Sequence, residues 1–216
     1  MTKKSLIVFD IDGTLTDSVA IHQKAFKAAL RDMGVQDYDA NFKTYKHHTD
    51  SYIAGKIYEN YHHQKFTASK IEAFENCLME RISNSTVNEI LGAKALIDRL
   101  KSQSEFEICY ATGSLLKPAQ FKLDSIGIDY SEKQLVASNH IFERENIVLK
   151  AIENAKELYN VNQFERIISV GDGLWDLTTA VRLGVEFIGI GNSNKAILLK
   201  NGMNHFFENL IDFKVD

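Results

Sequence analysis

IVFDIDGTLTDS, residues 7–18, drives an apolar run straight into an aspartate and sets a second aspartate two positions later. The run, LIVF, starts one residue earlier and holds no polar side chain until Asp10. Unbroken apolar residues, rather than alternating ones, predict a strand covered on both faces, as inside a parallel sheet. Two carboxylates have no place within such a strand. They belong just beyond its carboxyl end, the edge at which open α/β sheets hold their ligands.

The same pattern recurs further along the chain. SLIVFD (5–10), FEICYAT (106–112), QLVAS (134–138), RIISVGD (166–172) and EFIGIG (186–191) all read as buried strands. Helical spacing separates them. Ala93, Leu96, Ile97 and Leu100 form one stripe, and Val148, Ala151, Ile152, Ala155, Leu158 and Tyr159 a second. Leu174, Leu177, Val181 and Gly184 form a third, and each stripe is expected to face the sheet. This alternation predicts an α/β fold with a doubly wound parallel sheet.

One interval breaks the rhythm. Between residues 17 and 86 no buried strand is visible, and Phe26, Ala29, Leu30 and Met33, then Ile71, Phe74, Leu78 and Ile82, repeat at helical spacing. SNST (83–86) reads as a loop back to the core. The expected organisation is a core of residues 1–16 and 87–216, with a small α-helical domain, 17–86, inserted after the first strand.

Bulk properties narrow the partners. With 216 residues and a net charge of −4, the chain gives no reason to expect a nucleic-acid partner, whose phosphate backbone wants a basic surface. The apolar run before Asp10 is too short for a signal-peptide core, and none approaches the roughly 18 residues of a membrane helix. No nucleic acid and no membrane is expected as a partner. A cytoplasmic protein, monomeric or a small homo-oligomer, is the simplest expectation. Cys77 and Cys109 lie far apart and imply neither a disulfide framework nor a zinc site.

Three strand ends carry the polar chemistry. Asp10 and Asp12 follow the first; Thr112, Gly113 and Ser114 follow FEICYA; Gly171, Asp172, Gly173 and Asp176 follow RIISV. Clustered carboxylates need a cation, and oxygen-only ligands suit a hard ion such as Mg²⁺. A carboxylate, a hydroxyl and backbone N–H groups around such an ion suit phosphoryl transfer.

DIDGTLTD (10–17), ATGS (111–114) and GDGLWD (171–176), in this order and at the ends of apolar runs, resemble the signature motifs of the haloacid dehalogenase superfamily. The resemblance covers residues 1–16 and roughly 88–216, and the helical insert has the place and size of that family's cap domain. It implies a Rossmann-like core and a Mg²⁺-dependent phosphatase acting on a small phosphorylated metabolite. Asp10 would be the nucleophile, forming an aspartyl phosphate. Asp12 would be the general acid and then base, with its backbone carbonyl on the metal. Thr112 and the Gly113 N–H would hold phosphoryl oxygens. Asp172 would be the second carboxylate ligand, with Asp176 supporting the metal directly or through water. The basic partner of the phosphate would be Arg144, at an expected helix start and therefore preferred, or Lys150 in the second turn.

Within the insert, YKHHTDS (45–51) gathers ring, hydroxyl and carboxylate groups, and His47, His48, Thr49 and Asp50 are candidate readers of substrate specificity. Trp175 is expected to pack rather than stack on substrate. Several rivals differ at identifiable residues. A dehalogenase would lack Asp12. A phosphomutase shares nearly every residue, but Thr14 resembles the phosphatase form of the motif. A phosphonatase would need a cap lysine, with Lys24, Lys27 and Lys46 as candidates. A signalling receiver would lack the helical insert, and a silent binding protein would not need Asp10 and Asp12 together.

Overall fold

A computed structural model describes residues 5–215. Six strands form one sheet: β1 (Ser5–Phe9), β4 (Phe106–Ala111), β5 (Leu135–Val136), β6 (Arg166–Gly171), β7 (Glu186–Ile190) and β8 (His205–Phe207). Their order is β5-β4-β1-β6-β7-β8 and every pairing is parallel. β1 lies in the middle, hydrogen-bonded to β4 on one side and β6 on the other. The chain first builds outward through β4 and β5, then restarts beside β1 and builds the other way. That reversal leaves a crevice at the carboxyl end of β1.

The doubly wound α/β fold expected from the sequence is the one found. Helices α4 (Ala93–Ser102) and α5 (Leu116–Ser125) cover one face, and α6 (Arg144–Leu158) covers the other. The strand period of two divides β1 between them: Ile7 and Phe9 pack into the first core, Leu6 and Val8 into the second. All four are essentially sealed from water, which is why the strand shows no polar alternation.

Three details differ from the reading of the sequence. The strand expected at 134–138 contracts to two residues, and β8, HFF, was not anticipated; both are short edge strands with little periodicity to read. In α7 (Leu174–Leu183) the sheet-facing positions are Leu177 and Ala180, whereas Val181 is 67% exposed. Val181 lies four residues after Leu177 but one after Ala180, so it turns past the edge of the stripe.

Residues 19–82 hold three longer helices, α1 (Val19–Asp32), α2 (Asp50–His62) and α3 (Ala68–Ile82), with a 3-10 turn at Phe42–Thr44. They bury their own core. Phe26 meets Phe42 and Phe74 edge-on at centroid distances of 5.1 and 5.0 Å, and Ala29, Leu30, Ile57 and Leu78 close around them. Leu115, from the loop after β4, joins this cluster and fastens the helical layer to the sheet. The chain leaves for the layer and returns from it through two antiparallel strands, β2 (Thr16–Asp17) and β3 (Asn88–Glu89).

Candidate active site

Strand β1 ends at Phe9, and the Asp10 N–H still reaches the Val170 carbonyl at 2.9 Å. Asp10 is therefore the first residue to turn off the sheet while its backbone remains fixed. The next residues wind tightly: the N–H groups of Thr14, Leu15 and Thr16 all point at the Ile11 carbonyl, and Gly13 N–H bonds Thr16 O at 2.8 Å. Gly13 adopts φ +80°, and a Cβ there would lie 2.5 Å from Asp172 Oδ2. Glycine is needed both for the left-handed backbone and for the close approach of the two acidic loops. Gly13→Ala is expected to lower stability by at least about 1–2 kcal/mol from the backbone alone, and a thermal melt against the parent protein checks it.

Three carboxylates converge here. Asp10, Asp172 and Asp176 each offer an oxygen within 4.8 Å of the others, and all three are buried. Arg144 reaches in from the first residue of α6, ion-paired to Asp176 and 3.3 Å from Asp10 Oδ1. Asp176 also accepts the Gly173 N–H at 3.0 Å, and Asn194 holds the Asp172 carbonyl at 3.0 Å. One guanidinium cannot neutralise three acids. Burial pushes the Asp10 carboxyl up to about 7, with Arg144 opposing and Asp176 and Asp12 adding to the rise. Burial and the charges of Asp176 and Asp10 push Asp172 up to about 8. Oδ1 of Asp172 is sealed from solvent without a hydrogen-bond partner, and Oδ1 of Asp10, equally sealed, has the 3.3 Å ion pair with Arg144 but no hydrogen bond. Sealed acceptors with raised affinity for protons are what an oxygen-seeking dication would satisfy.

Asp12 is in the opposite condition. Burial works against its charge, but the Lys122 ammonium overcomes that and holds its carboxyl at about 2. Lys122 Nζ donates to Asp12 Oδ2 at 2.7 Å, and Ser18 donates to Oδ1. Thus two aspartates separated by one residue sit in contrasting fields, Asp10 among carboxylates that a cation would relieve and Asp12 already paired with an ammonium.

The loop after β4 supplies the facing wall. Thr112 N–H is tied to Val136 O at 3.0 Å, and its hydroxyl accepts the Ser114 N–H at 3.1 Å. Gly113 passes so close to Arg144 and to the His48 carbonyl that a Cβ would stand 2.6 Å from each. Asp10, Asp12, Thr112, Gly113, Ser114 and Arg144 together border a cavity of about 170 Å³ roofed by the helical layer.

The structure does not bring every candidate to this cavity. Lys150 does not reach it: six residues past Arg144, it is rotated well away around α6, half-exposed and paired with Glu153. His47 is also displaced, packing edge-on against Tyr52 and 3.6 Å from Glu143. His48, Thr49 and Asp50 do line it. Thr49 spends its hydroxyl on the Phe142 carbonyl at 2.9 Å. Asp50 accepts from the Leu115 N–H at 3.0 Å and contacts His22 Nε2 at 2.9 Å. Trp175 lines the cavity and stacks on His48 at 5.0 Å. Lys24, Lys27 and Lys46 do not border it, whereas Lys43 does.

Residues not anticipated are Lys122, His22, Ser18 and Asn194. Lys122 had a legible signal, since Leu115, Ala119, Lys122 and Leu123 share helical spacing and place a lysine in an apolar stripe. His22 and Ser18 had none beyond their nearness to the first motif.

Solved structures with this fold are numerous. A hydrolase from Pseudomonas syringae superposes with a TM-score of 0.72 at 20% identity, covering 98% of this chain and 95% of that one. CbbY from Rhodobacter sphaeroides in complex with phosphate gives 0.74 at 18%, covering 96% and 95%. A predicted phosphoglycolate phosphatase from Haemophilus somnus gives 0.66 at 20%, covering 98% and 96%. No curated protein sequence matches the chain. The family model described as haloacid dehalogenase-like hydrolase matches residues 7–190, from within β1 to the end of β7. With the paired aspartates, the phosphate-loop candidates and the acidic cluster all inside that span, the chain belongs to the haloacid dehalogenase-like hydrolases and is an enzyme of that family.

Proposed function

We propose that this enzyme is a magnesium-dependent phosphatase that hydrolyses a small phosphorylated metabolite, a phosphoric monoester, through an aspartyl phosphate on Asp10. The observation that carries the reading is geometric: Asp10 lies in the cluster with Asp172 and Asp176, 3.3 Å from Arg144, and shares one cavity with Asp12, Thr112 and Gly113. The phosphate complex of CbbY, a protein of similar fold, agrees with it.

Asp10, Asp172 and Asp176, with the Asp12 carbonyl, would hold the metal, whose charge would relieve the repulsion among the acids and stabilise a transferring phosphoryl group. The chain's own groups do the rest. Thr112 and the Gly113 N–H receive the phosphoryl oxygens, and Arg144 offsets their charge. Asp10 Oδ attacks phosphorus as the ester oxygen departs with a proton from Asp12; water then opens the aspartyl phosphate and returns a proton to Asp12. Residues 17–86 act as a cap, with Phe26, Phe42 and Ile53 giving the cavity an apolar roof that excludes water during the first transfer. His48 and Lys43 are the cap groups placed to read the substrate, while Asp50 fastens the cap to the phosphate loop.

The test is a panel of sugar, nucleotide and short-chain acid phosphates with Mg²⁺, assayed for inorganic phosphate. Release from at least one of them is expected. Conversion of one sugar phosphate to another without free phosphate would replace this reading with a phosphomutase.

A further inference from the structure

Lys122 is wholly buried, at 0% exposure, and the reading above gives it no task. Lysines are rarely buried unless paired, because stripping water from an ammonium costs several kcal/mol before any partner is found. An apolar residue in this stripe of α5 would avoid that cost.

Its surroundings are specific. The ammonium has three protons and three partners: Asp12 Oδ2 at 2.7 Å, His22 Nδ1 at 2.9 Å and Ser114 Oγ at 3.2 Å. An ammonium cannot accept, so His22 Nδ1 is the acceptor. The ring therefore carries its proton on Nε2 and donates it to Asp50 Oδ1 at 2.9 Å. The other Asp12 oxygen takes the Ser18 hydroxyl. Both oxygens of Asp12 are thus held, each by its own donor, which fixes the plane of the carboxylate as well as its position.

We propose that Lys122 is a positioning residue for the hydrolytic half of the reaction, orienting the Asp12 carboxylate to take a proton from the water that opens the aspartyl phosphate. The proposal rests on the phosphatase reading. In that step the water oxygen bonds to phosphorus and the bond from phosphorus to the Asp10 oxygen breaks. Its electron pair returns to the Asp10 carboxylate, and the water's proton passes to Asp12. The ammonium changes neither charge nor partners; it keeps the acceptor aimed.

Lys122→Met with 4-nitrophenyl phosphate separates this role from a structural one. Nitrophenolate leaves without help from an acid, so the first half proceeds without a well-placed Asp12. Rapid mixing with Mg²⁺ should give a burst approaching one nitrophenolate per site, then a steady rate about 10- to 100-fold below the parent's. Acid-quenched protein should carry the phosphoryl group. A purely structural role would lower burst and steady rate together, and that result, or an unchanged steady rate, overturns the assignment. If Lys122→Met does not fold, His22→Gln keeps the ammonium and removes one of its three bonds. It should show the same burst with a smaller slowing, and the lack of both overturns the proposal. Asp10→Asn run alongside tests the chemistry itself: hydrolysis persisting there defeats the phosphatase reading, whatever Lys122 does.

Discussion

Asp10→Asn is expected to abolish turnover of phosphate esters, with a loss of at least about 10⁴-fold, the scale on which covalent nucleophiles fail when removed. The substitution is nearly isosteric, and the site tolerates it for a definite reason. Burial pushes the Asp10 carboxyl up to about 7, so near neutral pH the metal-free protein already holds much of it uncharged. An amide resembles that uncharged form and lightens the repulsion from Asp172 and Asp176. The variant is therefore expected to melt no lower than the parent at pH 7 without metal. Activity loss together with an undiminished melting temperature locates the defect in chemistry. Turnover above about one hundredth of the parent's rate would assign the nucleophile elsewhere.

Withdrawing Mg²⁺ with a chelator should stop hydrolysis and also destabilise the fold, increasingly so as pH rises. The sign follows from the acids. Asp10 and Asp172 have folded-state values of about 7 and about 8, above the ordinary 3.8. Between roughly pH 4 and 8 the folded chain therefore binds more protons than the unfolded chain, and stability falls as pH climbs through that window. Mg²⁺ bound by the cluster would take the place of those protons. At a concentration about 100 times its dissociation constant, a ligand specific to the folded state adds about 2.7 kcal/mol. At about 2–4 °C per kcal/mol for a chain of this size, the midpoint should rise by about 5–10 °C. Melts at pH 6 and pH 8, with Mg²⁺ and with chelator, check both the shift and its growth. A melting temperature indifferent to Mg²⁺ at pH 8 would remove the acidic cluster as the metal site.

The parts legible in the sequence were those written in local pattern. LIVF running into Asp10, FEICYA into Thr112 and RIISV into Asp172 fixed three central strands and the polar residues at their ends. What local pattern could not convey was convergence from afar. Lys122 meets Asp12 across 110 positions and His22 across 100; a lysine in an apolar stripe hints at a buried partner, but only the packing of the helices supplies it. Lys150 illustrates the reverse. It lies in the right helix, but only the rotation of α6 decides that Arg144 faces the acids and Lys150 faces solvent. Asp50 was singled out as a possible reader of substrate, yet both its oxygens already have partners within the protein. Its neighbour His48 has a ring beside the cavity and stacked on Trp175.

The short ribbon of β2 and β3 pairs Thr16 with Glu89 and Asp17 with Asn88. The two crossing points of a long excursion are thereby stitched side by side, so the sheet is indifferent to how many residues travel between them. A lineage could lengthen, shorten or exchange that excursion and leave the catalytic floor as it stands. If the helical layer selects the substrate as proposed, which molecule is admitted and what is done to it can then diverge at separate rates, one in that layer and the other at the ends of the strands.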